Sequence, residues 1–230
     1  MLNITALGAH PDDLEIFMYG CLAAMKARGD HLTLIVATDG AKGGTTPGAE
    51  LAAKRAKETK QGLQKLGVPQ LLDLPDGGLA TAAEAQDKIS QAIAASQPDL
   101  IITHGQEDYH PDHRALARFV EDAASFRCPI LIADTLMGVG FQPEFYVDIT
   151  PHMADKKQAI MAHDSQSPHR FAEAASIMNR YRAAQCNAPR DHYAEAYRLA
   201  SRFPFTDVRD MIPPPPPYRP FYVPDSDALI

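Results

Sequence analysis

Up to Thr150, short apolar runs rich in β-branched residues alternate with longer stretches of helical period. The opening LNITAL is followed by EIFMYGCLAAMKARG, in which Met18, Cys21, Leu22 and Met25 recur at helical spacing and Gly29 supplies a stop. HLTLIVATDG predicts a second strand, ELAAKRAKETKQGLQKLG a second helix ending at Gly67, and LLDL a short third strand. Thr81 and Glu84 have the spacing of a capping box for a helix through Ala95, after which DLIITHG reads as a fourth strand. Pro111 opens a helix whose Leu116, Phe119, Val120 and Ala123 form one apolar face, and PILIADT and FYVDIT read as further strands.

Strands separated by helices pair in parallel through right-handed crossovers, so the expected fold is α/β: a Rossmann-like, doubly wound, mostly parallel sheet. Past Thr150 the pattern turns helical. Thr150 and Pro151 start one helix, Ser167 and Pro168 another, and these predict additional C-terminal helices attached to the sheet. Residues 213–217 are consecutive prolines, which favour an extended arm, and Tyr218, Phe221 and Tyr222 after them suggest docking on a neighbouring subunit. The expected organisation is one domain over 1–212 and a proline-rich arm over 213–230.

With 230 residues and 45% apolar content, the chain can bury a sizeable core. Its net charge of −7 argues against nucleic acid and anionic membrane surfaces as partners, because both reward an excess of Lys and Arg. MLNITALGAH carries no cationic lead, and no apolar run approaches the roughly 18 residues of a membrane helix. A cytoplasmic protein is expected. Cys21, Cys128 and Cys186 are scattered without metal spacing and fit reduced, mostly buried thiols.

Two segments carry chemistry. GAHPDDLE, residues 8–15, sets His10, Asp12 and Asp13 behind the first strand; HGQEDYHPDHR, residues 104–114, sets His110, Asp112 and His113 behind the fourth. Taken singly, Asp12 and Asp13 suit a helix N-terminus and the second segment suits a surface loop. In a sheet of order 3-2-1-4-5, however, strands one and four are neighbours, and their carboxyl ends flank the point where such folds bind ligands. The two clusters then meet. A catalytic zinc takes about three ligands of this type and an open position for water, which His10, Asp13 and His113 can supply. Asp12 is left to take a proton, and His110, one turn before His113, to stabilise an oxyanion or protonate a leaving amine. Asp112 is placed to orient one of the imidazoles.

AHPDD after the first strand and HPDH after the fourth resemble the LmbE/PIG-L family of zinc-dependent N-deacetylases, which act on N-acetylglucosamine conjugates. TDG at 38–40, Arg55 and Glu58 in RAKE, LPDGGL at 74–79 and AHDSQ at 162–166 look like further landmarks. The resemblance implies His10, Asp13 and His113 as zinc ligands, Asp12 as general base and His110 as acid or electrostatic partner. It also implies Arg55 and Asp76 as residues that hold the sugar, and a trimer or hexamer as the assembly. The alternative within the same chemistry is a metal-dependent amidase of another small N-acylated metabolite or thiol conjugate. Iron, cobalt and manganese suit such ligands as well as zinc.

Among the other candidates, Tyr109 reads as packed beside the motif rather than reaching the acyl oxygen, and His104 as a strand-end hydrogen-bonding residue. His163 reads as a site wall, a subunit contact or a satisfied core histidine, Asp39 as turn chemistry, and GAKGG at 40–44 as a lid.

Overall fold

The computed structural model describes residues 1–44, 47–201, 205 and 207–219. Five parallel strands, β1 (Asn3–Gly8), β2 (His31–Thr38), β3 (Gln70–Leu74), β4 (Leu100–Thr103) and β5 (Ile130–Ala133), are joined by β6 (Phe145–Asp148) and β7 (Ala194–Leu199). The sheet order is β3-β2-β1-β4-β5-β7-β6, with β7 antiparallel to both of its neighbours. The expected α/β architecture and the β1/β4 adjacency are therefore present.

Alternation along the inner strands feeds two cores, because successive side chains leave a strand on opposite faces. Leu100 and Ile102 of β4 face a cluster with Leu14, Leu22, Met25 and Ile160, whereas Ile101 faces one with Ile89, Leu116 and Val120. The first cluster is closed by α1 (Asp13–Phe17), α2 (Tyr19–Arg28), α3 (Ala49–Gly62), α6 (Met153–Met161) and α7 (Pro168–Gln185). The second is closed by α4 (Ala85–Ser96) and α5 (Pro111–Ala124). No helix among the described residues is long and apolar enough to cross a membrane. Cys21, Cys128 and Cys186 are all free thiols.

Three local expectations are corrected. The helix expected across 15–29 is two, broken at Met18, where φ is −133°. The break has a cause outside the segment: buried Glu195 of β7 accepts the Gly20 and Cys21 amides at 2.9 and 2.8 Å, satisfying donors that a helix start leaves open. The Thr81/Glu84 capping box does not form; Thr81 Oγ1 donates to the Gly78 carbonyl inside a 3-10 turn, and α4 begins after Glu84 without a side-chain cap. Lastly, the region past Thr150 is not wholly helical. β7 is a strand in which a buried Glu195 and two alanines, Ala194 and Ala196, mask the apolar alternation that sequence reading relies on.

The first residues of the proline run lie along β6, where Asp148 N donates to the Pro214 carbonyl at 2.8 Å. Tyr218 is 75% exposed, and Phe221 and Tyr222 lie outside the described residues.

Candidate active site

β1 and β4 deliver the two clusters to one crevice. At the end of β1 a side chain on Gly8 would stand 2.9 Å from the Asp13 Cβ, so only glycine lets the turn fold back this tightly. Asp12 follows with φ 103° and ψ −20°, a left-handed conformation that is costly for a residue with a side chain, and it makes no capping hydrogen bond. The helix-cap explanation of the acidic pair does not hold for Asp12. The strain aims its carboxylate into a cavity of about 380 Å3 whose walls include His110, Lys42, Tyr109, Leu136 and Phe171.

One oxygen is the hub of the cluster. Asp13 Oδ2 accepts the His10 amide at 2.7 Å and lies 3.4 Å from His10 Nδ1, 3.2 Å from His113 Nε2 and 3.1 Å from His104 Nε2. The far nitrogens of the two motif histidines are held by carboxylates of their own. His10 Nε2 is 3.2 Å from Asp112 Oδ2 and 3.4 Å from Asp76 Oδ1, and His113 Nδ1 is 3.0 Å from Asp108 Oδ2. Each imidazole thus has one nitrogen anchored and the other turned towards Asp13, the arrangement that orients histidines around a metal. Asp112 is itself fixed by the Gly77 and Leu79 amides at 2.6 and 3.2 Å.

Charge balance favours a cation here. Asp12, Asp13, Asp76, Asp108 and Asp112 are all buried, and among the described residues the one arginine buried with them is Arg55. The histidines supply positive charge of their own. Burial opposes protonation of His10, but hydrogen bonds to Asp112, Asp13 and Asp76 outweigh it and hold its pKa well above the usual value. For His113 burial is likewise outweighed, by Asp13 and Asp108, and the pKa is pushed up to about 9. Asp13 feels the converse: burial disfavours its charge, yet His113 and His104 hold its pKa well below the carboxylate range. Among the described residues three donor sets lie close enough to share an ion: His10 with His110 and His113, Asp13 with His104 and His113, and His10 with Asp76 and Asp112; His10, Asp13 and His113 each belong to at least one set, and no one set holds all three. Imidazole and carboxylate donors of this kind fit a divalent transition ion.

The proton-handling residues differ in environment. Burial, opposed by Arg55 and reinforced by Asp13, raises the Asp12 pKa to about 6, which suits a general base near neutrality. His110 caps α5, its Nδ1 accepting the Asp112 amide at 3.2 Å, so the ring proton sits on Nε2. Burial and the charges of His10 and His113 lower its pKa, which keeps it a neutral donor.

Arg55 lines the cavity, but it is 3% exposed and donates to the carbonyls of Pro11 and Gly40 and, at 3.3 Å, to Asp12 Oδ2. It holds the Asp12 turn. Asp76 also lines the cavity, with Oδ2 accepting the Lys42 amide at 2.8 Å. Tyr109 is 54% exposed on the cavity rim rather than packed away. His104 is buried and stacked on His113 at 3.8 Å. Asp39 makes the expected turn, accepting the Ala41 amide at 3.0 Å. His163 is a core histidine paired with Glu15 at 2.8 Å, and Glu58 ties the AHDSQ segment to α3 by accepting from Ser165 N and Oγ.

Sequence reading missed Asp108. Its signal was a carboxylate five positions before His113 in a loop already rich in histidine.

Residues 5–124 match the family described as GlcNAc-PI de-N-acetylase, PIG-L. A diacetylchitobiose deacetylase of Thermococcus kodakarensis is 28% identical over 188 residues, covering 72% of this chain and 70% of that protein. The N,N'-diacetylchitobiose deacetylase from Pyrococcus horikoshii, solved with an inhibitor, is similar with a TM-score of 0.75 at 25% identity, over 89% of this chain and 88% of that one. The 4-carboxy-2-hydroxymuconate hydratase of Pseudomonas putida KT2440 reaches a TM-score of 0.77 at 17% identity, over 90% and 99%, which is a likeness of fold alone.

Proposed function

The chain belongs to the GlcNAc-PI de-N-acetylase family, PIG-L, and from that premise we propose that it is a metal-dependent hydrolase that deacetylates an N-acetylglucosamine-type amino sugar conjugate. The observation that carries the reading is the convergence of His10 and His113 on Asp13 Oδ2, each backed by its own carboxylate, beside the strained carboxylate of Asp12. The similarity to deacetylases of diacetylchitobiose supports the acetamido sugar as substrate class.

His10, Asp13 and His113 would hold the ion; two imidazoles and a carboxylate suit zinc, and iron, cobalt or manganese also match the donors. Once bound, the ion supplies Lewis acidity, polarising the acyl oxygen and making water a stronger acid. Asp12 takes the proton of the attacking water as the new C–O bond forms. His110, with its proton on Nε2, hydrogen-bonds to the acyl oxygen as negative charge builds there, and Asp12 returns the proton it took to the nitrogen as the C–N bond breaks, leaving acetate and the free amine. Asp112 and Asp108 keep the imidazoles from rotating. Asp76 accepts a sugar hydroxyl from the cavity wall, and Arg55 acts on the sugar through the Asp12 turn it holds. Residues 1–212 are taken as the catalytic domain, with the prolines from 213 opening the arm whose residues from 220 on lie outside the described ones, in a cytoplasmic homo-oligomer.

The test measures metal content and acetate release from N-acetylglucosamine and its glycosides, for wild type and Asp12→Ala. Metal near one per chain in both, with acetate release lower in the variant by about 10²-fold or more, is the expected result. Metal without acetate from any amino sugar moves the substrate to another N-acyl metabolite. Absence of metal refutes the reading.

A further inference from the structure

A second cavity, of about 360 Å3, adjoins the first and shares Pro111 with it as a wall. Its polar lining is Gln106, Arg114 and Arg118, its apolar lining includes Phe119, and no carboxylate lines it. That is unusual in a chain of net charge −7. The arginines stand one turn apart on α5, which begins directly after His110, so at 1.5 Å rise per residue they lie about 6 and 12 Å along the helix from it. Arg114 Nη1 donates to the carbonyls of Asp108 and Tyr109, both at 2.8 Å, and so also holds the loop that carries His110. Arg118 is exposed and makes no hydrogen bond or ion pair among the described residues.

An arginine whose donors have no partner among the described residues, in a cavity that no carboxylate lines, is suited to a planar or tetrahedral oxyanion, which a guanidinium binds through two parallel hydrogen bonds. Arg55, the sequence's candidate for recognising such a group, has its terminal nitrogens committed to the Asp12 turn. The geometry also suits the substrate. In an acetamido sugar the anomeric carbon adjoins the carbon bearing the amide, so the aglycone begins close to the amide, and Pro111 is the wall between the two cavities.

Resting on the deacetylase reading above, we propose that the Arg114/Arg118 cavity is an anion subsite that holds a carboxylate or phosphate on the aglycone of the amino sugar. The subsite selects the acceptor group and takes no part in bond breaking.

The experiment compares the methyl glycoside of N-acetylglucosamine, N-acetylglucosamine 1-phosphate and a glycoside with a carboxylate on its aglycone, in wild type and in Arg118→Gln and Arg118→Lys. Arg118 is exposed, so these variants keep the fold. Wild type should show a KM about tenfold lower for at least one anionic substrate than for the neutral one, weakening with added salt. That preference should collapse in Arg118→Gln and return in part in Arg118→Lys, which keeps the charge but not the paired donors. The two anionic substrates tell phosphate from carboxylate. Equal KM for neutral and anionic substrates, or a preference that survives Arg118→Gln, overturns the subsite while leaving deacetylation standing. If no substrate releases acetate, calorimetric binding of glucosamine 1-phosphate against glucosamine decides separately: tighter binding lost in Arg118→Gln upholds the anion site, and equal binding overturns it.

Discussion

Replacing Asp108 with asparagine should weaken binding of the proposed ion before it costs the fold. Asp108 is 2% exposed; its Oδ1 accepts the His110 amide at 2.8 Å and its Oδ2 faces His113 Nδ1 at 3.0 Å. Both partners are donors. Asparagine brings one acceptor and one NH2, so in either amide orientation a donor meets a donor, and a buried unsatisfied donor costs about 1–3 kcal/mol. If that cost falls on the holding of His113, it is about 5–150-fold in affinity, which overlaps the 10–100-fold that changes of outer-shell partners bring at metal sites. The assay is zinc titration of the metal-free protein with a competing chelator, read beside acetate release and a thermal melt. Weaker zinc binding by about tenfold or more, with the melt of the metal-free protein little changed, is expected. Zinc affinity and turnover within twofold of wild type would refute the argument that a carboxylate behind His113 sets the site.

Other residues test the frame around the site. Lys156 is fully buried with Nζ 2.7 Å from Glu195 Oε1, so Lys156→Met strands a buried carboxylate and should destabilise by about 3–5 kcal/mol, measured by urea unfolding. A variant as stable as wild type would show the charge to be compensated elsewhere. Gly20→Ala drives a methyl into the Ile149 side chain and should cost about 1–3 kcal/mol of stability; an unchanged melt would mean that Ile149 yields freely. Burial pushes the Cys128 thiol up to about 12, so at pH 8 about one molecule in ten thousand carries the thiolate there. Iodoacetamide should modify half-buried Cys186 first and leave Cys21 and Cys128 intact until unfolding, as peptide mass mapping can check.

Much of the site was legible because its chemistry is local. AHPDD and HPDH each place carboxylates and imidazoles within a turn of one another, and the strand-helix alternation put both at neighbouring strand ends. Less legible were contacts whose partners come from distant parts of the chain. Arg55 reads as a free guanidinium in RAKE, and only the packing of α3 against the β1 turn commits it to Pro11, Gly40 and Asp12. Nothing in the alternation of residues 15–29 announces the break at Met18, because the carboxylate that caps α2 is more than 170 positions away, on β7.

The sequence by itself determined an α/β sheet of mostly parallel strands and the residues that stand behind β1 and β4, since periodicity acts over short spans and crossovers follow few rules; that those two strands are neighbours followed only for the order 3-2-1-4-5, which the sheet has. Tertiary structure alone decided which oxygen is the hub, which carboxylate stands behind which histidine, and that β7 inserts antiparallel between β5 and β6. Those outcomes depend on side-chain direction and on burial of charge against distant partners, and neither quantity exists until the chain has closed on itself.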